Sequence, residues 1–433
     1  MDNLEVDLMK RQKPEPKIAL VDGGNDFAWM SCTSISTNLK RAYKKNTRNL
    51  TSFFYENTLG VSSVLNLAKR IHDFHPTKII FVDYTPHPLR LLAALDAVWK
   101  MGAFPELIFH VYGDFTYFAF LWFKMEPLLK GKRCKFICSS PKQTGLIKTF
   151  ISDSLVFTCP FPIDSDIFFH KPESRPRLRK QFGFSNSDFI AVYSGRISLQ
   201  KNVVELVKAT ANVMALEPRV RLVLAGPFDD LGAPFFGIVQ NTDEYMKRFN
   251  DVHQKLPRNV RKRIEHVGNL TPKELSELYG AADCFISLSL HHDEDFGMSP
   301  GEALLCGLPL ILSDWGGYSQ FVQDSPSTLI PVRLTKLGLA IDFMQMETAF
   351  LRLAGSSCSS KTKTELSHVA RRTFSIDAVA NILSNISDLP SSVFSTFSPI
   401  LKKLALLGRK DKLYYPKGPT KDSFYETIYS SYL

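Results

Sequence analysis

CFISLSLHHDEDFGMSPGEALLCGLPLILSDWGGY, residues 284–318, holds the key to the fold. An apolar run (284–290) leads into a polar, acidic loop, then a short segment of helical composition, a second apolar run (308–314) and a glycine pair. Pro300 sits near the first turn of the middle segment and Gly307 just after its end, so the spacing predicts a helix over 299–306. Strand, helix and strand in that order form one βα repeat, the building block of a parallel sheet covered by helices.

The same alternation extends in both directions. FIAVYSG (189–195), RLVLAG (221–226) and RIEHVG (263–268) read as strands before it, and helical patterns at 336–354 and 363–385 follow it. Further upstream, IALVD (18–22), KIIFVD (78–83), ELIFHVY (106–112), KFICS (135–139) and SLVFT (154–158) form a second set of strands with helical patterns between them. The two sets are separated at 159–179, where Pro160, Pro162, Pro172 and Pro176 mark a linker. The expected fold is α/β, with two Rossmann-like doubly wound domains (1–170 and 171–388) facing a central cleft. A tail (389–433) rich in Ser, Lys, Tyr and Pro is expected to pack back on the first domain. Open sheets of this kind bind ligands at the carboxyl ends of their strands, so the chemistry is expected between the domains.

Composition is consistent with this reading. The chain has 433 residues, 44% of them apolar, with 23 Gly and 25 Pro, which excludes collagen-like, disordered and coiled-coil classes. Its 7 cysteines contain no CxxC, so neither a disulfide framework nor a zinc site is indicated and a reducing, cytoplasmic setting is expected. Residues 1–17 lack the apolar stretch of a signal peptide, and the aromatic run 117–123 falls short of the roughly 20 residues that span a bilayer. The formal net charge is +10, with Lys130, Lys132, Arg133, Lys135, Lys142 and Lys148 clustered between Glu126 and Asp153 and a second lopsided stretch at 402–421. Such clusters suit an anionic partner: a phosphorylated substrate, the inner face of an anionic membrane, or nucleic acid. A solvated face is the alternative, and no nucleic-acid-reading motif accompanies the charge. The aromatic run 117–123 could serve an interfacial helix, but Phe118, Leu121 and Trp122 within it have the spacing that suits burial on the sheet.

The candidate chemistry is densest in the second domain. Backbone N–H groups of Phe296, Gly297, Met298 and Ser299, backed by a helix dipole, would seat a phosphate. Glu302, one turn in, could accept two hydrogen bonds from a vicinal diol such as a ribose, and Glu294 on the preceding loop could reach another part of the same ligand. Arg196 and Lys201 follow the strand that ends at Gly195 and could neutralise a diphosphate. In the first domain Gly23 and Gly24 follow the opening strand directly, without a dinucleotide fingerprint or a Walker A motif.

SGRISLQKN (194–202), VGNLTPKELSELYGAAD (267–283) and EDFGMSPGE (294–302) together resemble the retaining glycosyltransferases of family 4, which have the GT-B architecture. The resemblance covers 17 to about 386, and the Glu-x7-Glu spacing carries most of it. It implies that Arg196 and Lys201 hold the donor diphosphate, Glu302 the ribose, Glu294 the donor sugar, and the amides of Phe296, Gly297, Met298 and Ser299 the sugar and phosphate, with Gly24 facing the diphosphate from the first domain. The donor would be a nucleotide-diphosphate sugar and the acceptor a hydroxyl of a glycan or lipid-linked glycan. Neither cofactor nor metal is implied, so the DxD-like Asp164-Ser165-Asp166 and Asp293-Glu294-Asp295 are discounted as ligands. The family's His at the end of the fourth strand is absent: FHVYGDF places Tyr112 there, leaving Asp114 and His110 as rival acceptor-side residues. That departure leaves a catalytically weak pseudoenzyme, which binds a nucleotide sugar or scaffolds glycan assembly, as the alternative. The stretch 226–245 is longer than usual, and is read as a lid, a partner surface or a passive insertion.

Overall fold

The computed structural model describes residues 15–23, 30–56, 58–82, 88–100, 102–111, 113, 115–230, 243–292, 294–322, 326–335, 338–356, 358–407 and 424–433. Two parallel sheets organise the chain. The first contains β1 (Ile18–Asp22), β2 (Leu50–Phe54), β3 (Lys78–Phe81), β4 (Glu106–Val111), β5 (Arg133–Cys138) and β6 (Val156–Thr158). Its order is β2-β1-β3-β4-β5, with β6 beside the second half of β5. The second contains β7 (Phe189–Ser194), β8 (Val220–Ala225), β9 (Ile264–Gly268), β10 (Cys284–Ser287), β11 (Leu310–Ser313) and β12 (Thr328–Ile330), in the order β9-β8-β7-β10-β11-β12. That order reverses direction between β7 and β10, the doubly wound pattern in which a crevice opens at the switch point. A two-stranded hairpin, β13 (Val332–Thr335) and β14 (Gly338–Ile341), follows.

Continuous apolar runs become central strands because both faces are covered by helices: every residue of β4, β10 and β11 is buried. Each strand anticipated from sequence is present; β2, β12, β13 and β14 are additional, and β14 takes up the start of the 336–354 stretch read as helical, whose helix runs Phe343–Gly355. The helix Pro272–Ala281 starts on a capping box between Thr271 and Glu274, with Pro272 in its first turn.

The chain crosses between the two sheets twice, and the crossings run side by side. Ile163 on the outward path bridges Ser375 on the return path, and the Ile163 amide donates to the Phe374 carbonyl at 2.7 Å. Around them Phe296 meets Phe161, Phe321 and Phe374 with ring centroids 5.3, 5.2 and 5.9 Å apart, so one apolar core is continuous through both halves. After the return, the helix Ile376–Asp388 packs on the first-domain helix Met30–Asn46, where Asn46 Nδ2 donates to the Ala380 carbonyl at 2.8 Å. The chain then adds β15 (Ser392–Val393) antiparallel to the first half of β5, and the helix Pro399–Leu407 lies against the helix Ala119–Leu129. The closing segment wedges between the halves. Tyr429 Oη is 2.7 Å from Thr116 Oγ1, and Tyr425 Oη is 2.9 Å from His292 Nε2.

Four cations of the basic run 130–148 are ion-paired. Lys132 pairs with Asp96 at 2.7 Å, Lys142 with Asp314 at 2.7 Å and Lys148 with Asp153 at 3.2 Å, while Lys135 is fully buried 3.2 Å from Glu106. Asp153 adjoins the run, but Asp96, Glu106 and Asp314 come from more distant parts of the chain. Only Lys130 and Arg133 of the run carry no ion pair among the described residues. In the neighbouring helix Trp122 is buried and Phe120 is exposed. Among the described residues no helix is long and apolar enough to cross a membrane.

Candidate functional site

A cavity of about 400 Å³ lies between the sheets, at the carboxyl ends of β7, β8 and β10. Arg196, Lys201, Glu294, Phe296, Gly297, Met298, Ser299 and Glu302 all line it, so eight of the residues singled out from sequence converge on one space. Ser31, Cys32, Ser34, Ile35 and Gly113 face them from the first domain.

The helix Met298–Leu305 begins at the cavity wall. Its cap is Gly297, whose φ of +99° disfavours any side chain and whose missing Cβ would lie 2.7 Å from the Tyr318 ring. The first-turn amides of a helix have no acceptor within it, and here those residues border the cavity with the positive end of the dipole behind them. The Phe296 ring is turned into the interdomain core, so this residue can offer only its backbone.

Arg196 and Lys201 each come with an acid partner. Arg196 Nη1 donates to Asp229 at 3.1 Å, and Lys201 Nζ donates to Glu294 at 2.7 Å. Gly195 and Gly226 end β7 and β8, and a Cβ on Gly226 would lie 2.0 Å from the Gly195 carbonyl, so glycine there lets the two strand ends meet under Arg196. Glu302 has no side-chain hydrogen-bond partner among the described residues. Its enclosure by protein pushes the carboxyl up to about 7, because the charged form loses its hydration.

The loop carrying Glu294 is held from beneath by the glycine pair of the motif. Gly317 N donates to the Glu294 carbonyl at 2.7 Å, and a Cβ on Gly316 or Gly317 would lie 2.1 Å from the carbonyl of Glu294 or Asp295. Sequence reasoning noted these glycines without a role. It named Asp295 only within a DxD-like stretch discounted as a ligand; the residue is buried, and its Oδ2 accepts from the Gly113 amide at 2.8 Å and from Gln143 Nε2 at 3.0 Å.

His110 is not at the cavity. It is buried in β4 with Nε2 2.7 Å from Tyr43 Oη, and burial pulls its pKa down to about 3, leaving a neutral ring in the core. On that strand the alternation of side chains turns it into the sheet's packing, away from the cavity lining, as the structural alternative for His110 expects. Gly24, Tyr112, Asp114, Asp293 and residues 231–242 of the long loop lie outside the described residues. Asp164 of the other DxD-like stretch is engaged by Arg41 and accepts from the Asp166 amide at 3.1 Å.

Residues 174–332 match the family model described as Glycosyl transferases group 1. A D-inositol 3-phosphate glycosyltransferase of Segniliparus rotundus is 26% identical over 226 residues, covering 51% of this chain and 44% of that protein. A lipopolysaccharide 1,2-N-acetylglucosaminetransferase of Salmonella typhimurium is 24% identical over 219 residues, covering 51% of each. The chain spans about half the length of these curated relatives. Among solved structures, Anabaena HepE in complex with UDP superposes with a TM-score of 0.64 at 16% identity, over 86% of this chain and 100% of that one. Sucrose-phosphate synthase from Thermosynechococcus elongatus gives 0.65 at 16% identity, over 86% and 98%. With two doubly wound sheets facing one cleft and these structural neighbours, the chain has the GT-B architecture.

Proposed function

We propose that the protein is a glycosyltransferase that moves a sugar from a nucleotide-diphosphate sugar to a hydroxyl acceptor, with retention at the anomeric carbon and without a divalent ion. One observation carries this reading: Arg196, Lys201, Glu294, Glu302 and the first turn of the helix Met298–Leu305 surround a single interdomain cavity. The similarity of residues 174–332 to group 1 glycosyltransferases supports it, as do neighbours solved with UDP and with UDP-glucose.

The parts divide the work by their chemistry. Departure of the nucleotide diphosphate builds negative charge on the leaving oxygen, and preorganised donors stabilise such charge without reorganising. The first-turn amides, Arg196 and Lys201 supply them; Lys201 has three N–H donors and gives one to Glu294. Glu302 takes the ribose diol and Glu294 the donor sugar. An acceptor hydroxyl of a glycan or lipid-linked glycan attacks from the face the diphosphate leaves, so no strong protein base is needed, and a core-bound His110 is consistent with that. Asp114, next to the cavity-lining Gly113, is the proposed group that orients the acceptor. Cytoplasmic localisation belongs to the same reading. The relatives bear transferase names and nothing favours a pseudoenzyme, so that alternative is set aside.

The test is thermal shift with a panel of nucleotide sugars, followed by acceptor-stimulated release of nucleotide diphosphate from the donor that stabilises most. Stabilisation with stimulated release is the expected result. A donor that binds tightly but never loses its sugar would overturn transfer.

A further inference from the structure

We infer that Asp295 is a positioning residue that fixes the end of β4 against the donor-side loop and so sets the distance across which a sugar is transferred. This rests on the transferase reading above. The side chain crosses from the second domain to the first: Oδ2 accepts from the Gly113 amide at 2.8 Å, just beyond β4, and from Gln143 Nε2 at 3.0 Å. Gln143 in turn accepts through Oε1 from the Ser139 amide at 2.7 Å, just beyond β5, and the Ser139 hydroxyl is 3.1 Å from the Asp295 carbonyl. Asp295, Gln143 and Ser139 are all buried, so a lost partner leaves a polar group short of a hydrogen bond in a largely enclosed place.

Two further contacts make this a register device rather than a loose latch. The residue before Asp295 is Glu294, held by Lys201 at 2.7 Å, so one short piece of backbone carries both the sugar-side carboxylate and the clamp on the first domain. Beneath it, Gly316 and Gly317 leave no space for the 294–295 backbone to drop, since a Cβ on either would lie 2.1 Å from a carbonyl of that pair. Gly113 and Asp295 both border the cavity, so an error in their separation becomes an error in the approach of acceptor to donor. A misplacement of about 1 Å can cost on the order of 100-fold in rate.

The carboxylate acts here as a hydrogen-bond acceptor, which separates two variants. Asp295→Asn keeps an oxygen for Gly113 and Gln143, whereas Asp295→Ala keeps none. With UDP-glucose as donor probe, kcat of Asp295→Ala is expected to fall on the order of 100-fold while UDP affinity changes less than about threefold, and Asp295→Asn is expected to recover most of kcat. Exchange of the Gly113 amide, slow in wild type and Asp295→Asn, is expected to be fast in Asp295→Ala. An unchanged kcat in folded Asp295→Ala, equal exchange in all three proteins, or Asp295→Asn as impaired as Asp295→Ala would overturn the inference. The last outcome would mean that charge, not placement, matters. Wild-type protein that neither binds UDP nor turns over UDP-glucose would count against the donor reading. The Gly113 exchange comparison would then decide the Asp295 clamp by itself.

Discussion

Glu302 carries the sharpest consequences at the level of single residues. A carboxyl that ordinarily titrates near 4.5 and sits at about 7 in the folded protein binds more protons folded than unfolded between those values. Its contribution therefore destabilises the empty protein increasingly as pH rises through that window. Glu302→Gln is expected to be the more stable protein above pH 7, by on the order of 2 kcal/mol, and indistinguishable near pH 4, read from denaturant midpoints at both values. Ligand binding runs the other way. A diol donates to the ionised form, so UDP affinity of the wild type is expected to rise about tenfold from pH 6 to pH 8, and calorimetry of Glu302→Gln should show a flat profile. Truncation to Glu302→Ala is expected to cost about 2–3 kcal/mol of UDP binding. His110 behaves oppositely. Its ring satisfies a buried phenol, so His110→Leu is expected to lower stability by about 1–3 kcal/mol and leave turnover per folded molecule unchanged; a large fall in kcat would restore it to the acceptor side.

At the level of elements, the helix Met298–Leu305 and its glycines form the proposed anion seat. Because dipole and cations would face the diphosphate in the proposed mode, turnover is expected to survive EDTA; complete loss restored by manganese would show that an ion does this work. Gly317→Ala would drive the Asp295 carbonyl upward, and UDP affinity is expected to drop at least tenfold. How far such elements were legible differs case by case. β10 and β11 announce themselves as apolar runs because both faces are covered, and β4 does so through its central Leu107, Ile108 and Phe109. β2 reads LTSFF, an edge strand with one buried residue and an exposed Phe54, and carries no such run. The donor half of the site was readable because Gly297, Pro300 and Glu302 lie within one helix start. The role of Asp295 was not, since its partner Gly113 is 182 positions away, and the pairing of Lys132 with Asp96 and of Lys142 with Asp314 likewise joins residues far apart in sequence.

Across the whole molecule, the half that begins the chain is completed by segments far downstream. Lys135, fully buried, donates to the carbonyls of Ile386 at 2.7 Å and Leu389 at 2.8 Å, and β15 covers the open stretch of β5. A protein truncated after residue 370 is expected to be recovered largely as aggregate, because it keeps a buried ammonium without those acceptors and an uncovered strand edge; a soluble, monomeric product in light scattering would contradict this. The same arrangement dictates an order of manufacture. Residues 18–158 leave the ribosome first, yet the acceptors that Lys135 needs emerge 251 positions later. At about 5–20 residues per second, the nascent amino-terminal half waits some tens of seconds for its own edge to be sealed. Through that interval β5 is expected to present an open edge, the feature of this protein that nascent-chain quality control would meet.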